Sequence, residues 1–295
     1  MKALITGAGG QVGRALQSTA PPGVSLLALG SGQLDITSAD AVTALVEAER
    51  PDLIFNTAAY TAVDKAESEE DRARLVNGDA VGFLSSAARQ TGARLIHIST
   101  DFAFDGTAST PYPPDAPPAP LGAYGRSKVV GEVEAQNGAL IVRTAWVYGS
   151  HGHNFVRTML RLMAQRDEVR VVTDQIGTPT WATSLAQALW RMADASARGI
   201  WHYTDSGVAS WYDFAVAIQE EALALGLLDR AVPVIPITTA DFPTPAPIVE
   251  AAQRAIAGGR MFYTPALGLP ELREAISQFY ANRYGTDVPA SRIVV

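Results

Sequence analysis

At 295 residues, with 47% apolar and 18% charged residues, the chain is long enough to bury a substantial core and too apolar to be disordered. A net charge of −7 with no Lys/Arg run excludes a phosphate-reading surface, so no nucleic-acid partner is expected. Cysteine is absent, which excludes disulfides, thiolate nucleophiles and cysteine-held metals, and no apolar run approaches membrane-spanning length.

Short apolar runs at residues 3–6, 25–29, 53–56, 94–98 and 140–143 read as strands buried on both faces. Amphipathic stretches at 11–18, 39–49, 71–90 and 124–136 supply the crossover helices between them. This is the βαβ rhythm of an α/β protein: a Rossmann-like, doubly wound parallel sheet, with ligands at the carboxyl ends of its strands. The first strand begins almost at Met1, without a signal-peptide pattern, and the expected setting is cytoplasmic. Residues 111–120 hold six prolines and form a loop that stands just before Tyr124. Beyond about Gly149 the rhythm loosens, with helices expected at 154–165, 183–195 and 211–225. The expected organisation is a cofactor domain over 1–148, a smaller substrate-binding lobe mainly over 149–246, and a separate tail over 247–295.

Thr6-Gly7-Ala8-Gly9-Gly10-Gln11-Val12-Gly13 sits between the first strand and the first helix. Backbone amides and a helix N-terminus there face an incoming pyrophosphate. Gly7 can take a turn conformation closed to other residues, while Gly10 and Gly13 remove side chains that would block the phosphate or the helix-to-sheet approach. The spacing is G-x-x-G-x-x-G rather than G-x-G-x-x-G. At the end of the second strand, where an acidic residue usually holds the adenosine ribose, the chain reads Leu29-Gly30-Ser31. Without a carboxylate the site tolerates a 2′-phosphate, so NADPH is expected, with NADH possible; Ser31 and Arg14 are the candidate contacts to that phosphate. Asp35 and Ile36 are placed to edge the adenine, and the small residues through Ala58 and Ala59 let the cofactor lie close. Each of these alone is more often a turn or packing residue.

Tyr124 and Lys128 stand four residues apart, on one face of a helix. A phenol titrates near 10, so it exchanges a proton at neutral pH only where a cation such as Lys128 stabilises the phenolate. The same ammonium can hydrogen-bond the nicotinamide ribose. Ser99-Thr100-Asp101 closes the fourth strand at the carboxyl edge and supplies a hydroxyl to orient a substrate oxygen.

These residues, with the runs 61–67, 104–106, 143–148 and 174–180, resemble the extended short-chain dehydrogenase/reductases and, within them, the dTDP-4-dehydrorhamnose reductase family, over residues 1 to about 246. The resemblance implies NAD(P)H-dependent reduction of the 4-keto group of dTDP-4-dehydro-L-rhamnose, with Tyr124 protonating the keto oxygen, Lys128 tuning it and Thr100 positioning the sugar. It places Asp101 and Trp146 against the substrate, and Ala59, Tyr60 and Thr61 along the cofactor. Phe102 departs from the pattern: the family has Tyr there, so a hydroxyl is lost from the substrate side. Some members bind Mg²⁺ through a glutamate in the first helix; Ala15 occupies that place, and no metal is expected. His151 and His153 read as solvated loop residues. A monomer or homodimer is expected. The alternatives are a non-catalytic NADP-binding regulatory subunit on the same fold, a reductase inactivated by a replaced C-terminus, and an epimerase or dehydratase, for which one carboxylate beside Thr100 is too few.

Residues 247–295, with Tyr263-Thr264-Pro265-Ala266 and Gly268-Leu269-Pro270, resemble instead the N-terminal segment of class I pyridoxal-phosphate aminotransferases. That likeness stops at Val295, before a Schiff-base lysine, so no PLP is expected. Two amphipathic helices are expected in the tail, at 250–257 and 271–284.

Overall fold

The computed structural model describes residues 1–135, 138–239 and 278, which apart from residue 278 lie in one unit, Met1–Ala240. In chain order this unit runs β1 (Lys2–Thr6), α1 (Gln11–Ser18), β2 (Ser25–Leu29), α2 (Ala39–Glu49), β3 (Leu53–Asn56), α3 (Val63–Ala66), α4 (Glu70–Arg74), a π turn (Leu75–Asp79) and α5 (Ala80–Thr91). It continues with β4 (Arg94–Thr100), a 3-10 turn (Asp101–Ala103), α6 (Ala123–Ala135), β5 (Leu140–Thr144), β6 (Val147–Tyr148), α7 (Phe155–Gln165) and β7 (Val169–Val172). The last elements are β8 (Ile176–Gly177), β9 (Thr180–Trp181), α8 (Ala182–Asp194), β10 (Gly199–His202), β11 (Ala209–Ser210), α9 (Trp211–Ala224) and β12 (Val234–Ile237). The tail helices expected at 250–257 and 271–284 lie outside the described residues, apart from residue 278.

Six strands form one parallel sheet in the order β10-β5-β4-β3-β1-β2. The order reverses between β1 and β3, so the ligand crevice of this doubly wound sheet opens at their carboxyl ends. The four inner strands are almost wholly buried, whereas β2, read from the sequence as buried on both faces, is an edge strand and only partly covered. One core layer joins α1 and α8 to the sheet through Leu16, Leu185, Leu189 and Trp190; the other joins α2 and α5 through Val42, Val46, Val81 and Leu84. A third apolar cluster, Met159, Met163, Val169, Ala215 and Ile218 among them, unites α7, β7 and α9 as a lobe of its own. Thus β10 and α8, although late in the chain, belong to the main sheet.

The helix expected over 71–90 is interrupted by the π turn, and packing explains why. Asn77 and Gly78 lie directly beneath α6: a Cβ on Gly78 would stand 2.7 Å from Val130 Cγ1, and one on Gly131 would stand 2.1 Å from the Asn77 carbonyl oxygen. Nearer the start of α6, a Cβ on Gly125 would stand 2.3 Å from the Phe102 carbonyl oxygen. Helix α6 therefore lies flush on its neighbours because three glycines lack side chains, and the widened turn brings the Asn77 amide to Tyr60 and Ser127.

Gly131→Ala should destabilise the protein by about 1–3 kcal/mol through overpacking, read as a lowered denaturation midpoint. Gly32→Ala, where a Cβ would meet nothing within 4 Å, should leave it unchanged.

Candidate active site

The glycine turn after β1 is shaped by close approach. Gly7 has φ +66°, and a Cβ on it would stand 2.6 Å from the Ala58 backbone nitrogen; a Cβ on Gly13 would stand 2.5 Å from the Gly7 carbonyl oxygen. Gly10 is the N-cap of α1, whose first turn holds no acidic residue, so its free amides favour an anion. Above Gly9 the space is open, and beside it a cavity of about 670 Å³ is bordered by Arg14, Gly30, Gln33 and Gly149. The Arg14 guanidinium anchors on the Gly9 carbonyl through Nε at 3.0 Å. This cradle would be filled by any side chain and fits a dinucleotide.

The other sequence-named residues on this side do different work. Gln11 Nε2 donates to the Val147 carbonyl at 3.2 Å and its Oε1 accepts from Asn154 at 2.9 Å, tying α1 to the start of α7. Val12 is half-buried against the core. Ser31 is exposed, and Asp35 is exposed and accepts from the backbone and hydroxyl of Thr37, which hold its carboxyl below the usual range. Ile36 is only 7% exposed and packs in the core cluster of Leu4 and Val42. Ala58 and Ala59 are half-buried beside Gly7, Tyr60 is half-buried, and Thr61 is exposed.

From the cradle a continuous set of contacts leads to α6. Tyr60 N–H donates to Asn77 Oδ1 at 2.8 Å, Asn77 Nδ2 donates to Ser127 Oγ at 2.9 Å, and Ser127 Oγ–H donates to the Tyr124 carbonyl at 2.7 Å. Glu67 caps the first turn of α6 by accepting from Ala123 N–H at 2.7 Å. Tyr124 is thereby set beside Thr100, its hydrogen-bond partner, at the end of β4. Loss of surrounding water pushes the Tyr124 phenol up to about 12; the Thr100 hydrogen bond draws it down and the nearby Asp101 charge adds to the rise. Burial also raises the Asp101 carboxyl. Phe102 packs edge-on against the Tyr124 ring, centroids 5.5 Å apart, yet remains 45% exposed, a wall open to a ligand.

Lys128 is only 2% exposed. Its ammonium donates to the Ile98 carbonyl at 2.6 Å, and burial pulls it down to about 8, against a smaller upward pull from Glu132. Among the described residues, the buried side-chain polar atom without a partner is Thr144 Oγ1, beside Thr100 in the β4–β5 register. Trp146 holds a left-handed φ of +48°, stacked 3.5 Å from Trp211. No group of three or more His, Cys, Asp or Glu suited to a metal occurs among the described residues, and none of their helices is long and apolar enough to cross a membrane.

Sequence reasoning missed the ion pair beneath this corner. Glu132 and Arg143 are both buried, 2.6 Å apart, and Ser99 Oγ–H donates to the same carboxylate. Arg143 also donates to the Pro114 carbonyl at 3.3 Å and lies over the Phe104 ring, which fastens the proline-rich loop. The signal was present: 124, 128 and 132 share one helix face, and a glutamate on a face turned to the sheet requires a buried cation.

The chain matches the model of the RmlD substrate binding domain over residues 1–283. It is 42% identical to a dTDP-4-dehydrorhamnose reductase of Burkholderia thailandensis, covering 83% of this chain and 87% of that one. It is 39% identical to a probable dTDP-4,6-dihydroxy-2-methyloxan-3-one 4-ketoreductase of Streptomyces antibioticus, covering 99% of each. Among solved structures it resembles the dTDP-4-dehydrorhamnose reductase of Bacillus anthracis in complex with NADP, with a TM-score of 0.78, 38% identity, and 82% and 86% of the two chains covered. The Burkholderia and Bacillus relatives cover about the share of the chain expected for the resemblance, the family model and the Streptomyces relative run past Ala246, and none of them supports the aminotransferase likeness of the tail.

Glu132→Ala should cost about 3–5 kcal/mol by stranding the Arg143 charge, and replacing both residues with leucine should recover much of that loss. Chemical denaturation of the two variants measures the difference.

Proposed function

This chain belongs to the dTDP-4-dehydrorhamnose reductase family, and on that premise we propose that it reduces the 4-keto group of dTDP-4-dehydro-L-rhamnose, giving dTDP-L-rhamnose, with NADPH preferred. The observation that supports the reading is the grouping of Thr100, Tyr124 and Lys128 at the end of β4, Tyr124 held by the contact path from Tyr60 and Lys128 by the Ile98 carbonyl. NADPH, when bound, supplies the hydride that adds to the carbonyl carbon. Gly7, Gly10 and Gly13 with the α1 amides hold its pyrophosphate, and Ala58, Ala59, Tyr60 and Thr61 line its path. Ser31, just past β2, and Arg14 of α1, which borders the same cavity as Gly30, are the candidates to meet a 2′-phosphate, with no carboxylate directly after β2 to repel it.

Thr100 Oγ1 donates to the substrate oxygen, and Tyr124 Oη–H passes its proton to that oxygen as the new C–H bond forms. With its hydroxyl pKa near 12, Tyr124 is protonated at neutral pH, the form a reductase needs. The Lys128 ammonium stabilises the phenolate left behind. Trp146, Asp101 and Phe102 line the sugar and nucleotide side, residues 1–148 act as the cofactor domain, and residues 149–246 act mainly as the substrate lobe, apart from α8 and β10, which return to the sheet. The setting is the cytoplasm, as a monomer or homodimer.

One observation favours a neighbouring substrate. The Streptomyces relative that matches 99% of the chain is named for a different dTDP-keto sugar, and Phe102 removes a hydroxyl from the substrate wall. Nicotinamide absorbance with each sugar decides between them: NADPH oxidation by dTDP-4-dehydro-L-rhamnose is expected, and none with either sugar would refute the reading. Tyr124→Phe should lower kcat by about 10²–10⁴-fold with little change in NADPH affinity. Because the reaction uses protonated Lys128, kcat should fall as pH rises through about 8.

A further inference from the structure

A buried ammonium needs an acceptor for each of its three protons. Lys128 spends one on the Ile98 carbonyl, and Nε2 of His97 lies 3.4 Å from its Nζ. His97 is itself fully buried in β4, and its Nδ1 stands 3.1 Å from the side-chain amide of Asn56. The Nδ2 end of that amide faces His97, and its Oδ1 end accepts from Thr6 Oγ1–H at 2.7 Å. A polar row therefore crosses β1, β3 and β4 through the apolar core and ends on the α6 lysine, and the reaction described above uses none of its first three members.

Donor counting settles how the row is wired. Burial and the adjacent Lys128 charge keep His97 neutral, with one N–H and one lone pair. Facing an ammonium, the lone pair belongs on Nε2 and the proton on Nδ1. This wiring exchanges the two ends of the Asn56 amide relative to the placement above, turning the carbonyl oxygen toward His97 and the nitrogen toward Thr6, an exchange that leaves the heavy-atom positions the same. The opposite tautomer sets Nε2–H against an ammonium N–H with no lone pair between them.

We propose that His97 is a positioning residue for Lys128: in its Nδ1–H form it accepts the second ammonium proton, leaving the third for the Tyr124 and cofactor-ribose side. The inference rests on the role of Lys128 in the reduction proposed above. The other titratable and charged groups around this corner are Tyr124 and Glu132 on α6, Arg143 of β5 paired with Glu132, Asp101 of the 3-10 turn, and Asp79 of the π turn paired with Arg74. Glu132 favours the ammonium, and His97 contributes as a lone pair rather than as a charge.

Nitrogen-15 NMR of the histidine rings in the cofactor-free full chain at pH 7 reads the tautomer without turnover. Nδ1 protonation of His97 is expected; Nε2 protonation would overturn the proposal. In kinetics, His97→Leu should move the alkaline limb of kcat down by about one pH unit, because an unsolvated ammonium loses its proton sooner. His97→Gln, which keeps an acceptor oxygen, should restore the limb to within about half a unit. A limb that stays in place in His97→Leu, or moves a full unit in His97→Gln, refutes the assignment. Should His97→Leu fail to fold, His97→Gln and the tautomer decide. Should the wild-type chain reduce neither sugar, the functional reading fails while the tautomer still tests this one.

Discussion

The structure depends on keeping one ammonium, that of Lys128, charged where water does not reach. A cation at 2% exposure survives only if the protein replaces its hydration shell. That requirement sets how α6 must lie. The helix has to approach closely enough for Nζ to reach the Ile98 carbonyl of β4, which accounts for glycine at 78, 125 and 131 and for the π turn that lets Asn77 serve both Tyr60 and Ser127. One turn further along, the buried Glu132–Arg143 pair extends the same contact from α6 to β5 and to the proline-rich loop. Stability and chemistry thus draw on one interface.

The Trp146 corner, the proposed substrate side, is organised by aromatic contact rather than by charge. Trp146 leaves β5 in a left-handed conformation, which a bulky residue holds only when its surroundings over-determine it. Here Trp211 stacks on the indole, a Cβ at Gly177 would stand 2.4 Å from the same ring, and Thr180 N–H donates to the Trp146 carbonyl at 3.2 Å. Phe155 and Phe214 carry the stacking from Trp211 into the lobe. The residue that leaves the sheet is thereby joined to the lobe by ring packing.

Much of this was legible in the sequence where local rules act alone. The alternation of apolar runs and amphipathic stretches gives the parallel sheet because buried strands and crossover helices have distinct periods, and the glycine turn is visible because close approach admits no other residue. The pairing of Tyr124 with Lys128 follows from helix geometry. What escaped is everything decided by tertiary partners. Nothing local marks Asn77 as the source of a π turn, since the cause lies on α6. Ile36, expected at the adenine edge from its place after β2, also packs in the core with Leu4 and Val42, neighbours that its local sequence does not supply. Glu132 and His97 were overlooked although each sits on a face already known to be buried, where a polar residue announces a partner whose identity only the fold supplies.

The account stands or falls on the state of Lys128. The chain has three lysines, Lys2, Lys65 and Lys128, so a carbon-13 NMR titration of their Cε positions, with Lys128→Arg to assign the signal, reads that ammonium directly. A midpoint near 8 is predicted; a midpoint at the ordinary lysine value of 10.5 would mean that the ammonium is hydrated and would contradict the buried-cation account.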